Sequence, residues 1–247
     1  MYNSLNEFRY FIMNPYLHIS IDRYDNYIFK ILDDIVSEPL PTPETLKPLV
    51  LKLPEKVRVL VGLVAAELVF PLWDDWSKEY IKKSPPANWS VAIKKAFNAA
   101  KAFIYDMPFQ LSVLERTIRN IVISVGVAAD SAYNEAEITH VDALYNQTIM
   151  AALAAQSAMA VARSVEYGIT DILNTKPLPL EEQKKLSPPS AAAITLASKA
   201  YHGAYHLWPN FPSEPFFELW KDKVRDRLSE DEETFNHWLL TGQGGFQ

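Results

Sequence analysis

Seventeen prolines stand against seven glycines in this chain of 247 residues, and that imbalance restricts the backbone more than any other feature. Two-residue hairpin turns need positive φ, which glycine and asparagine adopt at low cost, so a glycine-poor chain is ill suited to sheets built on hairpins. Proline instead fits the first turn of a helix, where its missing N–H would have no partner in any case. The prolines here follow residues able to cap a helix: Thr42-Pro43, Ser84-Pro85, Ser187-Pro188 and Ser213-Glu214-Pro215 read as four helix starts. Ser4 with Glu7, stopped at Asn14-Pro15, has the capping-box spacing. So does Ser229 with Glu232, which opens toward Phe235, Trp238 and Leu239 before Gly242.

Hydrophobic spacing agrees with these caps. From Val57, the apolar positions 57, 60, 61, 64, 68 and 72 follow the three-four rhythm of a helix, and Val59, Leu63, Val69 and Phe70 fill the other face as well. That pattern predicts a central, nearly buried helix. Pro71 cannot donate to the carbonyl of Glu67, so a kink or an early end is expected near Phe70. Leu111, Leu114, Ile118, Ile121, Val122 and Val125 mark one face of a further helix, with Glu115 and Arg119 four apart on another. The stretch 139–173 keeps the same period with no breaker until Gly168, and its alanines at 151, 152, 154, 155, 158, 160 and 162 let neighbouring helices approach closely. The expected fold is all-α, a multi-helix bundle of about ten helices with proline-capped short connections. It forms one domain over 1–247, with a sub-lobe boundary near 174–187 and a loose tail at 242–247.

Composition narrows the function. Hydrophobic residues make up 49% of the chain and charged residues 22%, enough apolar material for a sizeable core and far from the disordered class. With 24 basic and 30 acidic residues the formal charge is −6, which argues against a duplex-binding surface and suits a basic partner. The lysines at 82, 83, 94, 95, 184 and 185 come as isolated doublets, so no nucleic-acid partner is expected. The lack of cysteine excludes a disulfide framework, a thiolate zinc site and a cysteine nucleophile, and fits a reducing cytoplasm. The opening MYNSLNEFRY has no basic segment followed by an apolar one, so no secretory signal is expected there. The most apolar stretch, 57–73, is broken by Glu67 and Pro71 and falls short of the roughly 20 residues a membrane span needs, so no membrane association is expected. No phosphate loop, dinucleotide fingerprint, GxSxG elbow, HExxH or calcium loop occurs.

A few clusters could carry chemistry. His202 and His206, in HGAYH, have the spacing that would put two imidazoles on one helical face as metal ligands. The metalloprotease arrangement needs glutamate directly after the first histidine, however, and Gly203 stands there, so two hydrogen-bonded or partly exposed histidines explain the pair as well. Glu135, Glu137, His140 and Asp142 could assemble an acid, a base and a ligand, although capping by Thr139 and Asp142 accounts for most of that cluster. Asp74, Asp75 and Glu79 are flanked by Trp73 and Trp76. Carboxylates beside flat aromatic anchors suit a protein-binding surface, against the plainer reading of a solvated helix end with both tryptophans turned inward. Glu230, Asp231, Glu232 and Glu233 are the densest negative run, which a helix dipole would favour in a first turn anyway. Trp208, Phe211, Phe216, Phe217 and Trp220 read as a lid over the core.

The segments LPEKVRVLVGLVAAELVFPLWDD (53–75), AIKKAFNAAKAFI (92–104), VAADSAYNEA (127–136) and AALAAQSAMAVARS (151–164) together resemble an all-α family of bacterial immunity proteins from polymorphic toxin systems. In that family a helix ending in an Ala-Ala-Glu-like step and an apolar Leu-Trp segment precedes alanine-rich helices carrying scattered acids. The resemblance implies a cytoplasmic neutraliser that binds a cognate, basic toxin, with recognition in place of catalysis and no cofactor. The partner-binding surface would then include Trp73, Asp74, Asp75, Trp76 and Glu79, with Glu230, Asp231, Glu232 and Glu233 as a second candidate. Two other classes stay open. One is a helical metal- or small-ligand-binding enzyme using His140, Asp142, His202 and His206, although Glu137 to His140 is the only Glu-x-x-His match where a ferritin-like site wants two. The other is a structural helical protein. Sequence leaves the oligomeric state open.

Overall fold

The computed structural model describes residues 21–39, 41–80, 89–105, 120–121, 123–127, 130–131, 134, 142–173, 188–205, 207–208 and 211–230. All-α architecture holds throughout these residues, with no strand among them. The helices are α1 (Ile21–Val36), α2 (Pro43–Val50), α3 (Glu55–Tyr80), α4 (Trp89–Ile104), α5 (Asp142–Leu173), α6 (Pro189–Ala204) and α7 (Phe216–Glu230). Described residues between 120 and 134 are helical too. The capping signals at Ser4 and at Ser84-Pro85, the 174–187 break and the 242–247 tail all lie outside the described residues.

The start signals around Pro43, Pro188 and Pro215 are met to within a few residues, though not always by the expected cap. At α2, Thr42 accepts from the Thr45 amide at 3.2 Å, while the Thr45 hydroxyl accepts from the Thr42 amide at 3.0 Å, a reciprocal box with Pro43 in the first helical position. At α6 the cap residue is Pro188, which has no side chain to offer the first turn. Helix α7 begins after Pro215, whose carbonyl accepts from Leu219 N at 3.1 Å, so Ser213 does not cap it. Ser229 is a correction: it is helical within the last turn of α7, and the helix expected to open there lies outside the described residues.

Helix α3 runs unbroken through Pro71 and on to Tyr80, so the early end expected near Phe70 does not occur. An interior proline costs a helix about 3 kcal/mol. Leu72, Trp73 and Trp76, all beyond the proline, are fully or almost fully buried. Burial of each large apolar side chain contributes about 1.5–3 kcal/mol, so together they outweigh the lost hydrogen bond. Pro71 itself faces solvent, where its ring disturbs no packing.

Three helices form the centre. α5 packs against α6 and α3, and α3 against α6, while α4 covers α3 and α5 and α2 lies on α6. α7 touches α1, α3 and α6, and α1 leans on α2 and α7. One buried cluster draws side chains from every one of these helices. The seven alanines of the α5 run are all buried, as their spacing predicts. Gly62 of α3 has Ser190 Cα and Ala193 Cβ 3.4 and 3.5 Å from where its Cβ would be, which places α3 and α6 in near-backbone contact. Between α5 and α6 the buried polar groups are bonded: Ser157 Oγ donates to Ala193 O at 2.8 Å and the Ser164 and Ser190 hydroxyls meet at 3.0 Å, while Thr195 of α6 donates to Ala191 O at 2.9 Å.

α5 passes through Gly168 without a break and ends at Leu173, where the periodic stretch is expected to end. Gly168 is small for a steric reason: a Cβ there would lie 2.5 Å from Phe103 Cζ and 2.9 Å from Glu55 Oε1. Within α5, Tyr145–Ile169 is long and apolar enough to cross a membrane by length and composition, and 67% of its most apolar window is buried inside the bundle.

Candidate functional site

The last turns of α3 carry the acids singled out from sequence. At about 100° per residue, positions 73 and 76 share one side of a helix while 74 and 75 point elsewhere. Trp73 and Trp76 are 0% and 5% exposed, so neither is a surface anchor, which corrects that part of the expected binding surface. Their rings meet in a tilted contact at 5.2 Å and 46°, and Trp76 Nε1 donates to Thr148 Oγ1 of α5 at 3.0 Å. The physical reason is the apolar surface that α5 offers: an indole buried there with its N–H bonded loses nothing by leaving water.

Asp74 and Asp75 are on the outer flank, their side chains 25% and 59% exposed. Lys78 lies between them, 2.6 Å from Asp74 Oδ2 and 3.8 Å from Asp75 Oδ1. Its hydrogen bond to Asp74, helped by the charges of both carboxylates, holds the lysine above its ordinary value of 10.5. Glu79 belongs to the last turn of α3, and its side chain lies outside the described residues. Glu230 is the final residue of α7, while Asp231, Glu232 and Glu233 are outside them.

Of the histidine pair, only His202 is among the described residues. α6 ends at Ala204, before His206, which lies outside the described residues. His202 is exposed, with Nδ1 2.7 Å from Ser198 O and 3.3 Å from Ser198 Oγ. Gly203 reads differently in three dimensions: a Cβ there would collide with the thioether of Met150 on α5. His140, Glu135 and Glu137 fall outside the described residues, and Asp142 is the first residue of α5. Among the described residues no group of three His, Asp or Glu side chains is arranged to hold a metal ion.

Two acidic nodes escape the sequence reading. Glu67 of α3 bridges Lys101 of α4 at 2.7 Å and Arg227 of α7 at 3.4 Å. Asp33 of α1 takes Lys221 at 3.6 Å and Arg225 at 3.4 Å, both from α7. Sequence spacing reveals only pairs three or four apart, and these partners come from different helices. A neutral hydrogen bond also fastens α7: Trp220 Nε1 donates to Val61 O of α3 at 2.9 Å.

The aromatic group beyond α6 divides in two. Phe216 and Trp220 are wholly inside the core, while Trp208, Phe211 and Phe217 are partly buried against it. Tyr201 sits 4.7 Å from Phe211 and 5.4 Å from Phe216, and its hydroxyl reaches Glu214 O at 3.0 Å and Pro212 O at 3.2 Å. Burial, then the charge of Glu214, pushes that phenol up from 10.0. The cluster therefore pins the α6–α7 connection. No family model, no curated protein and no solved structure matches the chain.

Proposed function

We propose that this chain is a helical interaction protein of the immunity type, which binds a cognate toxin in the cytoplasm and neutralises it by covering or locking it. The observation that carries the reading is the end of α3. Trp73 and Trp76 are seated in the core, and Asp74 and Asp75 stand on the solvent side of the same turns. Carboxylates on a backbone fixed by buried tryptophans are ordered before a partner arrives, so binding costs little conformational entropy at that point. A basic partner would be steered by the net charge of −6 and would compete with Lys78 for both carboxylates. The interior polar groups described between α5 and α6 are engaged in fastening helices, which directs the reading to the surface.

The test is a pull-down from the native host with the wild-type chain and with the Asp74→Asn/Asp75→Asn variant, at low and moderate salt. The reading expects a stoichiometric basic protein that leaves as salt rises, is captured poorly by the variant, and arrests growth unless the wild-type chain is co-expressed. The variant should keep the wild-type Tm, because these side chains reach solvent. Equal capture by both proteins would remove this surface, and a captured protein that does not arrest growth would end the immunity reading.

A further inference from the structure

We draw no further inference here: the strongest candidate, the exposed pair Ile123 and Val127 one turn apart on the helical residues between 120 and 134, is an apolar face for which nothing in the structure shows what covers it.

Discussion

Replacing Gly168 with alanine sets two effects against each other inside α5. In an isolated helix the change would gain about 1 kcal/mol from propensity alone. Here the new methyl would stand 2.5 Å from Phe103 Cζ, 3.1 Å from Phe103 Cε1 and 2.9 Å from Glu55 Oε1. Carbon atoms rest about 3.5–4.0 Å apart, so the ring edge must retreat by about 1 Å. Phe103 is 1% exposed, so its ring moves only by displacing its neighbours. Overpacking of this kind costs about 1–3 kcal/mol, and displacement of a whole ring belongs toward the upper end. The net expectation is a loss of about 1–2 kcal/mol, or a Tm lower by roughly 2–8 °C for a chain of this length. Urea unfolding followed by far-ultraviolet circular dichroism measures it. Phe103→Leu removes the obstructing edge, so the double variant should recover about 1 kcal/mol or more relative to the sum of the single changes. Gly126→Ala is the control, since its close neighbour among the described residues is the flexible Met159 Sδ at 3.3 Å, and it should be neutral or stabilising. A Gly168→Ala protein more stable than the parent, or a strictly additive cycle with Phe103→Leu, would refute the steric argument.

Three further outcomes follow from single contacts. Trp220→Phe should lose about 1–3 kcal/mol through the missing indole contacts and the bond to Val61 O; a midpoint unchanged in urea would show that this bond does not fasten α7. Glu67→Gln should cost about 1 kcal/mol or less, because its partners are partly exposed, and the deficit should shrink in concentrated salt; a deficit insensitive to salt would point to packing instead of charge. The Lys78 amine, raised by Asp74, contributes stability that is present below 10.5 and fades as pH rises through its higher folded value. In Asp74→Asn, an NMR titration of that amine should move back toward 10.5, and an unmoved curve would assign the shift to another group.

Much of the helical layout is legible in the sequence, but the meaning of its most suggestive residues is not. Thr42-Pro43 and the alanine run of α5 are read correctly because a cap and a periodic face depend on residues within one or two turns. Trp73 and Trp76 are ambiguous in the sequence, where flat aromatics beside acids fit an interface or a core equally well. The deciding fact is Thr148, 72 residues from Trp76, which accepts the indole N–H in a buried pair.

The sequence by itself determined that the chain is helical, where several helices begin, and which faces of α3 and α5 are apolar, because backbone hydrogen bonds and amphipathic spacing are local. Only the tertiary structure decided that α3 continues past Pro71, that Gly168 and Gly203 are kept small by Phe103 and Met150, and that Glu67 binds Lys101 and Arg227. Each of these outcomes balances a local cost or freedom against side chains from another helix. A pairing such as Trp220 with Val61, 159 residues apart, exists only once the helices have packed.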